Sequence, residues 1–211
     1  MLSNNTIGVE DERVKYLISK DKKLGEYIQH KKNIDYHLFD DINRFFVFTI
    51  IGQLISTKVA NKIYENLKQI CNNDFTQTNI LKFSKEDLRK CGMTYKKAEY
   101  ILSFMELLDK KPNYFKDILK LDTKDALKEL IKLRGVGKWT AKMVLIFCFD
   151  AQDLAPVEDF AFIKGFNGLY GTNYKPVEVE KVCKKWSPYM SIGARFIYAY
   201  ADEMFSNIPK V

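Results

Sequence analysis

Apolar positions along the chain recur at three- and four-residue spacing almost throughout, the signature of amphipathic helices. Val14, Leu17 and Ile18 share one face of a first helix over Glu10–Lys20, and Leu24–Gln29 continues as a second. His30-Lys31-Lys32-Asn33 is polar and reads as a connection. Phe45–Ile51, FFVFTII, is apolar on every side. Period alone would permit a strand there, but the polar spacing that follows favours a helix buried all round. Val59, Ile63 and Leu67 continue at helical spacing to about Ile70, and Cys71–Asp74 is a loop. Ser84, followed by Lys85-Glu86-Asp87, supplies a capping oxygen and first-turn acids. Gly92 stops that helix and Thr94 caps the next, whose apolar face is Ala98, Ile101, Leu102, Met105 and Leu108. Pro112-Asn113 breaks it. Asp122 or Thr123 then caps a helix with Leu127, Leu130, Ile131 and Leu133 inward. No strand, repeat or low-complexity segment stands out, so the pattern predicts an all-α fold.

One turn differs from the others. Between two helical patterns lie Gly135 and Gly137, one residue apart, and Trp139–Phe149 reads as the following helix. Glycine permits positive φ and close backbone approach. Amides at a helix N-terminus form a ready anion site, so this turn is a candidate phosphate grip. A carboxylate, Asp159, follows about twenty residues later. Phe160 onward looks helical, so Asp159 is also a natural N-cap, and a helix N-terminus favours negative charge. Its neighbour Glu158 points about 100° away on a helix and is expected to be solvated.

The turn with its flanking helices resembles a helix-hairpin-helix motif. With Val157-Glu158-Asp159 it resembles the helix-hairpin-helix (HhH-GPD) superfamily of DNA glycosylases, most closely its 3-methyladenine DNA glycosylase II branch. Ile51-Gly52-Gln53-Leu54-Ile55-Ser56 is similar to that family's GQ(L/Q)xS segment, and Trp186-Ser187-Pro188-Tyr189-Met190-Ser191 to its W-x-P-(W/Y)-R-S segment. The three occur in family order and span most of the chain. The resemblance implies two helical lobes with a cleft between them. One lobe covers residues 43–150 and contains the hairpin at about 123–149; the other joins 1–42 to 151–211. The N-terminal β domain of some members has no room ahead of Phe45.

The implied activity is that of a monofunctional DNA glycosylase of base excision repair, which flips an alkylated purine from duplex DNA and hydrolyses its N-glycosidic bond. In that scheme Asp159 is the catalytic carboxylate. Trp139 and Tyr198 line the base pocket, and Leu54 with Gln53 fills the gap left by the base. Gly135, Val136, Gly137, Lys138 and Thr140, with Lys142 beside them, hold the DNA backbone. The backbone carbonyls of Ile131, Leu133 and Val136 are where relatives hold a monovalent cation. Arg134 stands where many relatives have proline. Members that cleave the strand carry a nucleophilic lysine two residues after the second hairpin glycine; here that position is Trp139, and Lys138 is one residue early. A glycosylase/lyase acting through Lys138 and a non-catalytic DNA-binding module are the alternatives.

Composition narrows the field further. The net charge of +7, from 34 basic and 27 acidic residues in 211, suits a polyanion partner. No apolar run reaches the roughly 18 residues of a membrane span. The first residues lack the basic and apolar regions of a signal peptide, so an intracellular place is expected: cytoplasm or nucleoid in a prokaryote, nucleus in a eukaryote. Double-stranded DNA with a damaged base is the expected partner, and the protein is expected to act as a monomer. Cys71, Cys91, Cys148 and Cys183 are widely spaced. That predicts reduced thiols. Some members of the superfamily it resembles carry a closely spaced four-cysteine iron–sulfur cluster near the C-terminus; only Cys183 stands there, so no cluster and no cofactor is expected. His30 and His37 are read as surface or structurally satisfied residues.

Overall fold

In a computed structural model, residues 2–206 are described, with side chains for 5–204. Residues 1 and 207–211 of the expected terminal lobe lie outside the described residues. In chain order the elements are β1 (Leu2–Gly8), α1 (Glu12–Lys20), α2 (Lys22–Lys31), β2 (Asn33–Phe39), α3 (Ile42–Gly52), α4 (Thr57–Ile70), α5 (Gln77–Ile80), α6 (Lys85–Lys90), α7 (Tyr95–Lys110), α8 (Tyr114–Ile118), α9 (Thr123–Ile131), α10 (Lys138–Phe147), α11 (Phe160–Tyr170), α12 (Pro176–Cys183), a 3-10 turn (Lys184–Trp186) and α13 (Met190–Ser206). The fold is all-α apart from one two-stranded sheet. Among the described residues, no helix is long and apolar enough to cross a membrane.

The chain forms two compact units, one of residues 39–148 and one joining residues up to 38 with those from 149 onward. In the contiguous unit α3 is the central element. Phe46, Val47, Ile50 and Ile51 are fully buried, and Phe46 stacks on Phe104 of α7 at 3.6 Å between ring centroids. Phe45 and Phe48 keep partial exposure, so the helix is not buried all round as its composition suggested. In the other unit Val14, Leu17, Leu24 and Ile28 of α1 and α2 pack with Phe162, Phe166, Trp186, Ile192 and Phe196.

Side chains close most helix starts. Asp11, Asp21, Ser84, Thr94 and Asp122 each accept a first-turn amide, and Ser84 with Asp87 completes a capping box. Asp21 does more than cap α2. It is buried, and its Oδ2 accepts the Tyr170 hydroxyl at 2.7 Å and the indole N–H of the fully buried Trp186 at 3.0 Å.

The structure corrects several expectations. Strands exist: β1 pairs with β2. Thr6 Oγ1 donates to Asp35 and the Val9 amide to Lys32 O, so the pairing runs in opposite directions along the two segments. His30 and Lys31 belong to the last turn of α2 rather than to a connection, and Asn33 already opens β2. The apolar run at 45–51 and the pattern at 59–70 are two helices, separated at Gln53–Ser56. On α7 Phe104 takes the buried place expected for Leu102, and on α9 Leu127 and Ile131 remain partly or largely exposed.

Candidate active site

The hairpin is built in the contiguous unit. α9 ends at Ile131, and the chain turns through Lys132–Gly137 before α10 begins at Lys138. The Val136 amide donates to Leu133 O at 3.0 Å, closing the turn. Gly135 has φ +82°, and a Cβ there would lie 2.2 Å from the Tyr100 ring. Both the backbone and the packing demand glycine. Gly137 is different. Its φ is −91°, open to any residue, and a Cβ there would meet nothing within 4 Å. It caps α10 without offering a side-chain oxygen to the first-turn amides. Nothing inside the protein calls for glycine at 137, whereas close approach by an outside surface would.

Leu54 stands on a turn next to this hairpin. It is fully exposed and has φ +58°, a conformation that costs a leucine about 1–2 kcal/mol. Gln53 is bonded inward: its Nε2 donates to Gly135 O at 2.9 Å and to Thr140 Oγ1 at 3.0 Å. Gln53, expected beside Leu54 at the wedge, ties the end of α3 to the hairpin. Thr140, expected at the DNA backbone, is 1% exposed and accepts that bond. The Val136 amide is engaged by Leu133 O and its side chain is buried. Lys142 is buried as well. Lys138 is exposed and Trp139 partly exposed, on the first turn of α10. Arg134 pairs with Glu99 of α7. Replacing Gly137 by alanine should leave the melting temperature within a degree or two and weaken binding to duplex DNA by about tenfold. Gly135→Ala should lose stability as well as binding. Thermal melts and fluorescence-anisotropy titrations with duplex DNA would check the contrast.

Asp159 belongs to the other unit. The segment leading to it is clamped on the start of α13. Ser187 Oγ donates to Asp153 Oδ2 at 2.7 Å, and the Ser191 amide donates to Gln152 O at 2.9 Å. Ser191 Oγ both accepts the Leu154 amide and donates to Leu154 O. Arg195, 3% exposed, donates to Asp150 Oδ1 at 3.0 Å and lies 4.0 Å from the centroid of the Tyr36 ring. Asp159 caps α11, its Oδ1 accepting the Phe162 amide at 2.9 Å, and it remains partly exposed. Tyr198 faces the same carboxylate. Burial, and then the nearby Asp159 charge, push its hydroxyl well above the usual phenol range, so it stays a neutral donor. Its ring packs on Phe162 at 5.9 Å. Glu158 is exposed.

Two residues here escaped the sequence reading. Phe160, beside Asp159, is 79% exposed; an aromatic in the first turn of an apolar helix looks like core, and only its exposure marks it. Lys97 Nζ donates to Ile51 O and Gln53 O, each at 2.7 Å; one lysine among many gave no signal. The cysteines are free, and burial pushes the thiols of Cys71, Cys91 and Cys148 up, away from nucleophilic use.

The chain and its fold are similar to those of known proteins. The profile of the HhH-GPD superfamily base excision DNA repair proteins matches residues 47–188. The DNA-3-methyladenine glycosylase of Bacillus subtilis (strain 168) is 31% identical over 121 residues, covering 56% of this chain and 40% of that protein. The chain thus spans well under half the length of that relative. The alkylbase DNA glycosidase-like protein mag2 of Schizosaccharomyces pombe is 29% identical over 155 residues, covering 71% of this chain and 73% of that one. The crystal structure of DNA-3-methyladenine glycosidase from Bacillus halodurans superposes with a TM-score of 0.84 at 22% identity, over 96% of this chain and 95% of that one. With a glycine hairpin, a capping aspartate and a family profile that together cover most of its length, the chain belongs to the HhH-GPD superfamily of base excision DNA repair proteins.

Proposed function

We propose that the protein is a monofunctional DNA glycosylase that removes alkylated purines of the 3-methyladenine type from duplex DNA and leaves an abasic site. The observation that carries this reading is Asp159: an accessible carboxylate, oriented by the Phe162 amide and faced by Tyr198. As an N-glycosidic bond lengthens, the deoxyribose becomes cationic, and a fixed carboxylate beside the anomeric carbon stabilises that charge. An alkylated purine already carries positive charge and leaves without being protonated. One carboxylate is therefore enough, where glycoside hydrolases generally use two.

Gly137 and the first-turn amides of α10, with Lys138, hold the DNA backbone in a sequence-independent way. Leu54 enters the stack when the damaged base leaves it, as apolar wedges do in other DNA-bending proteins. Trp139 and Tyr198 offer aromatic faces to a cationic base, each worth about 0.5–2 kcal/mol. A monovalent cation would sit on the carbonyls of Ile131, Leu133 and Val136. These are neutral oxygens, and Leu133 O keeps a second lone pair beside its bond from Val136. Such an ion would add positive charge near the bound phosphate. The names of the Bacillus and fission-yeast relatives point to the same substrate class.

Incubation with methylated genomic DNA, followed by mass spectrometry of released bases, tests the reading. Release of 3-methyladenine supports it, and release of no base overturns it. Borohydride trapping separates it from the glycosylase/lyase alternative: a covalent adduct, lost in Lys138→Ala, would establish that alternative. Leu54→Gly should keep stability within about 1 kcal/mol, since glycine relieves the positive φ, while excision falls about tenfold or more.

A further inference from the structure

α7 touches both loops assigned above to DNA. Glu99 pairs with Arg134, the Tyr100 ring lies beneath Gly135, and Lys97 reaches the end of α3. The last carbonyls of a helix lack intrahelical partners. α3 stops at Gly52, and Gln53 turns out of the helix at φ −56°, ψ 125°. Its carbonyl and that of Ile51 both accept from the Lys97 ammonium. A cation also suits the negative end of the helix. The next residue is Leu54, fully exposed and in a left-handed conformation that a leucine leaves readily. Its preceding residue is therefore held twice, by the Gln53 side chain on the hairpin and by Lys97 on the Gln53 carbonyl. Burial lowers the Lys97 ammonium below the usual lysine range, in line with a cation whose water has been replaced by these carbonyls.

We propose that Lys97 is a positioning residue: by bridging the Ile51 and Gln53 carbonyls it locks the turn that displays Leu54 and fixes that turn to the glycine hairpin. The inference rests on the reading of Leu54 as the side chain that replaces the flipped base.

The test has two readouts. Amide hydrogen exchange on the free protein reports the turn itself. In Lys97→Met, exchange at Gln53 and Ile55 should rise about tenfold or more, while protection in α10 and the melting temperature stay close to wild type. Excision kinetics report function. Lys97→Met should lower kcat about tenfold with KM within twofold, since a misplaced wedge impairs base extrusion more than grip on the backbone. Lys97→Arg should restore most of the rate. The Lys97→Met/Leu54→Gly double variant should be no slower than Leu54→Gly alone, because both act through one side chain.

Unchanged exchange at Gln53 and Ile55, full additivity in the double variant, or a uniform loss of protection across the contiguous unit would each overturn the proposal. If the wild-type protein releases no base, the functional reading fails, and the exchange data still decide whether Lys97 locks the turn.

Discussion

Asp159→Asn should lower the rate of base release by at least about 10²–10³-fold, the range seen when one preorganised group that stabilises transition-state charge is removed, while affinity for duplex DNA stays within about twofold. The separation follows from what the residue does in the fold. Its Oδ1 accepts the Phe162 amide as the cap of α11. Asparagine keeps an acceptor oxygen and is as good an N-cap as aspartate. The helix start, the Tyr198 ring against Phe162 and the clamp on residues 150–154 are left in place. What disappears is the negative charge. Alanine at the same position would confound the result, because losing the cap alone costs about 1 kcal/mol. Single-turnover excision of a methylated duplex, run beside anisotropy titrations and a thermal melt, checks all three quantities. Wild-type excision by Asp159→Asn would remove this carboxylate from the mechanism.

The largest stability effect is expected at Asp21. Its carboxylate caps α2, and its Oδ2 takes both the Tyr170 hydroxyl and the Trp186 indole. Tyr170 is itself held protonated: burial first, and the bond to Asp21 after it, push its hydroxyl above the usual phenol range. Asp21→Ala orphans the buried Trp186 indole, the partly buried Tyr170 hydroxyl and a cap amide at once. An unsatisfied buried donor costs about 1–3 kcal/mol. The variant should therefore lose about 3–5 kcal/mol, or on the order of 10 °C in melting temperature for a chain of this size. Asp21→Asn keeps one oxygen but turns its NH₂ towards a donor, and should fall between the two. Denaturant titrations followed by tryptophan fluorescence suit the measurement, since Trp186 is one of the groups affected.

How much of this could be read from the amino acids varies by residue. Caps such as Ser84, Thr94 and Asp122 were legible because an N-cap is a local device: one oxygen, one amide, three residues apart. Gly135 was legible because positive φ selects glycine. β2 was legible but missed. Ile34, Tyr36 and Leu38 alternate with Asn33, Asp35 and His37, a period-two signal too short to stand out in a helical chain. β1 had no such alternation, since its place depends on its partner. The long-range pairings were out of reach. Nothing local says that Gln53 is bonded to Gly135 and Thr140, that Lys97 bridges the end of α3, or that Asp21 meets Trp186. Each joins residues far apart in sequence, and each reassigns a polar group that looked available. The resemblance to glycosylases pointed to the hairpin and to Asp159, but not to which side chains around them are buried.

The unit that carries Asp159 is assembled from both ends of the chain, whereas residues 39–148 form a unit of their own. During synthesis the middle can complete its core as soon as it is made. α1 and α2 cannot, because Val14, Leu17, Leu24 and Ile28 share a core with Phe162, Phe166 and Phe196, which are made long after them. Those two helices are therefore translated with an uncovered apolar face and wait for α11 and α13 to cover it. A nascent chain stalled before α13 would hold a finished hairpin and no organised carboxylate, and α1 and α2 would be the natural target of chaperones and proteases.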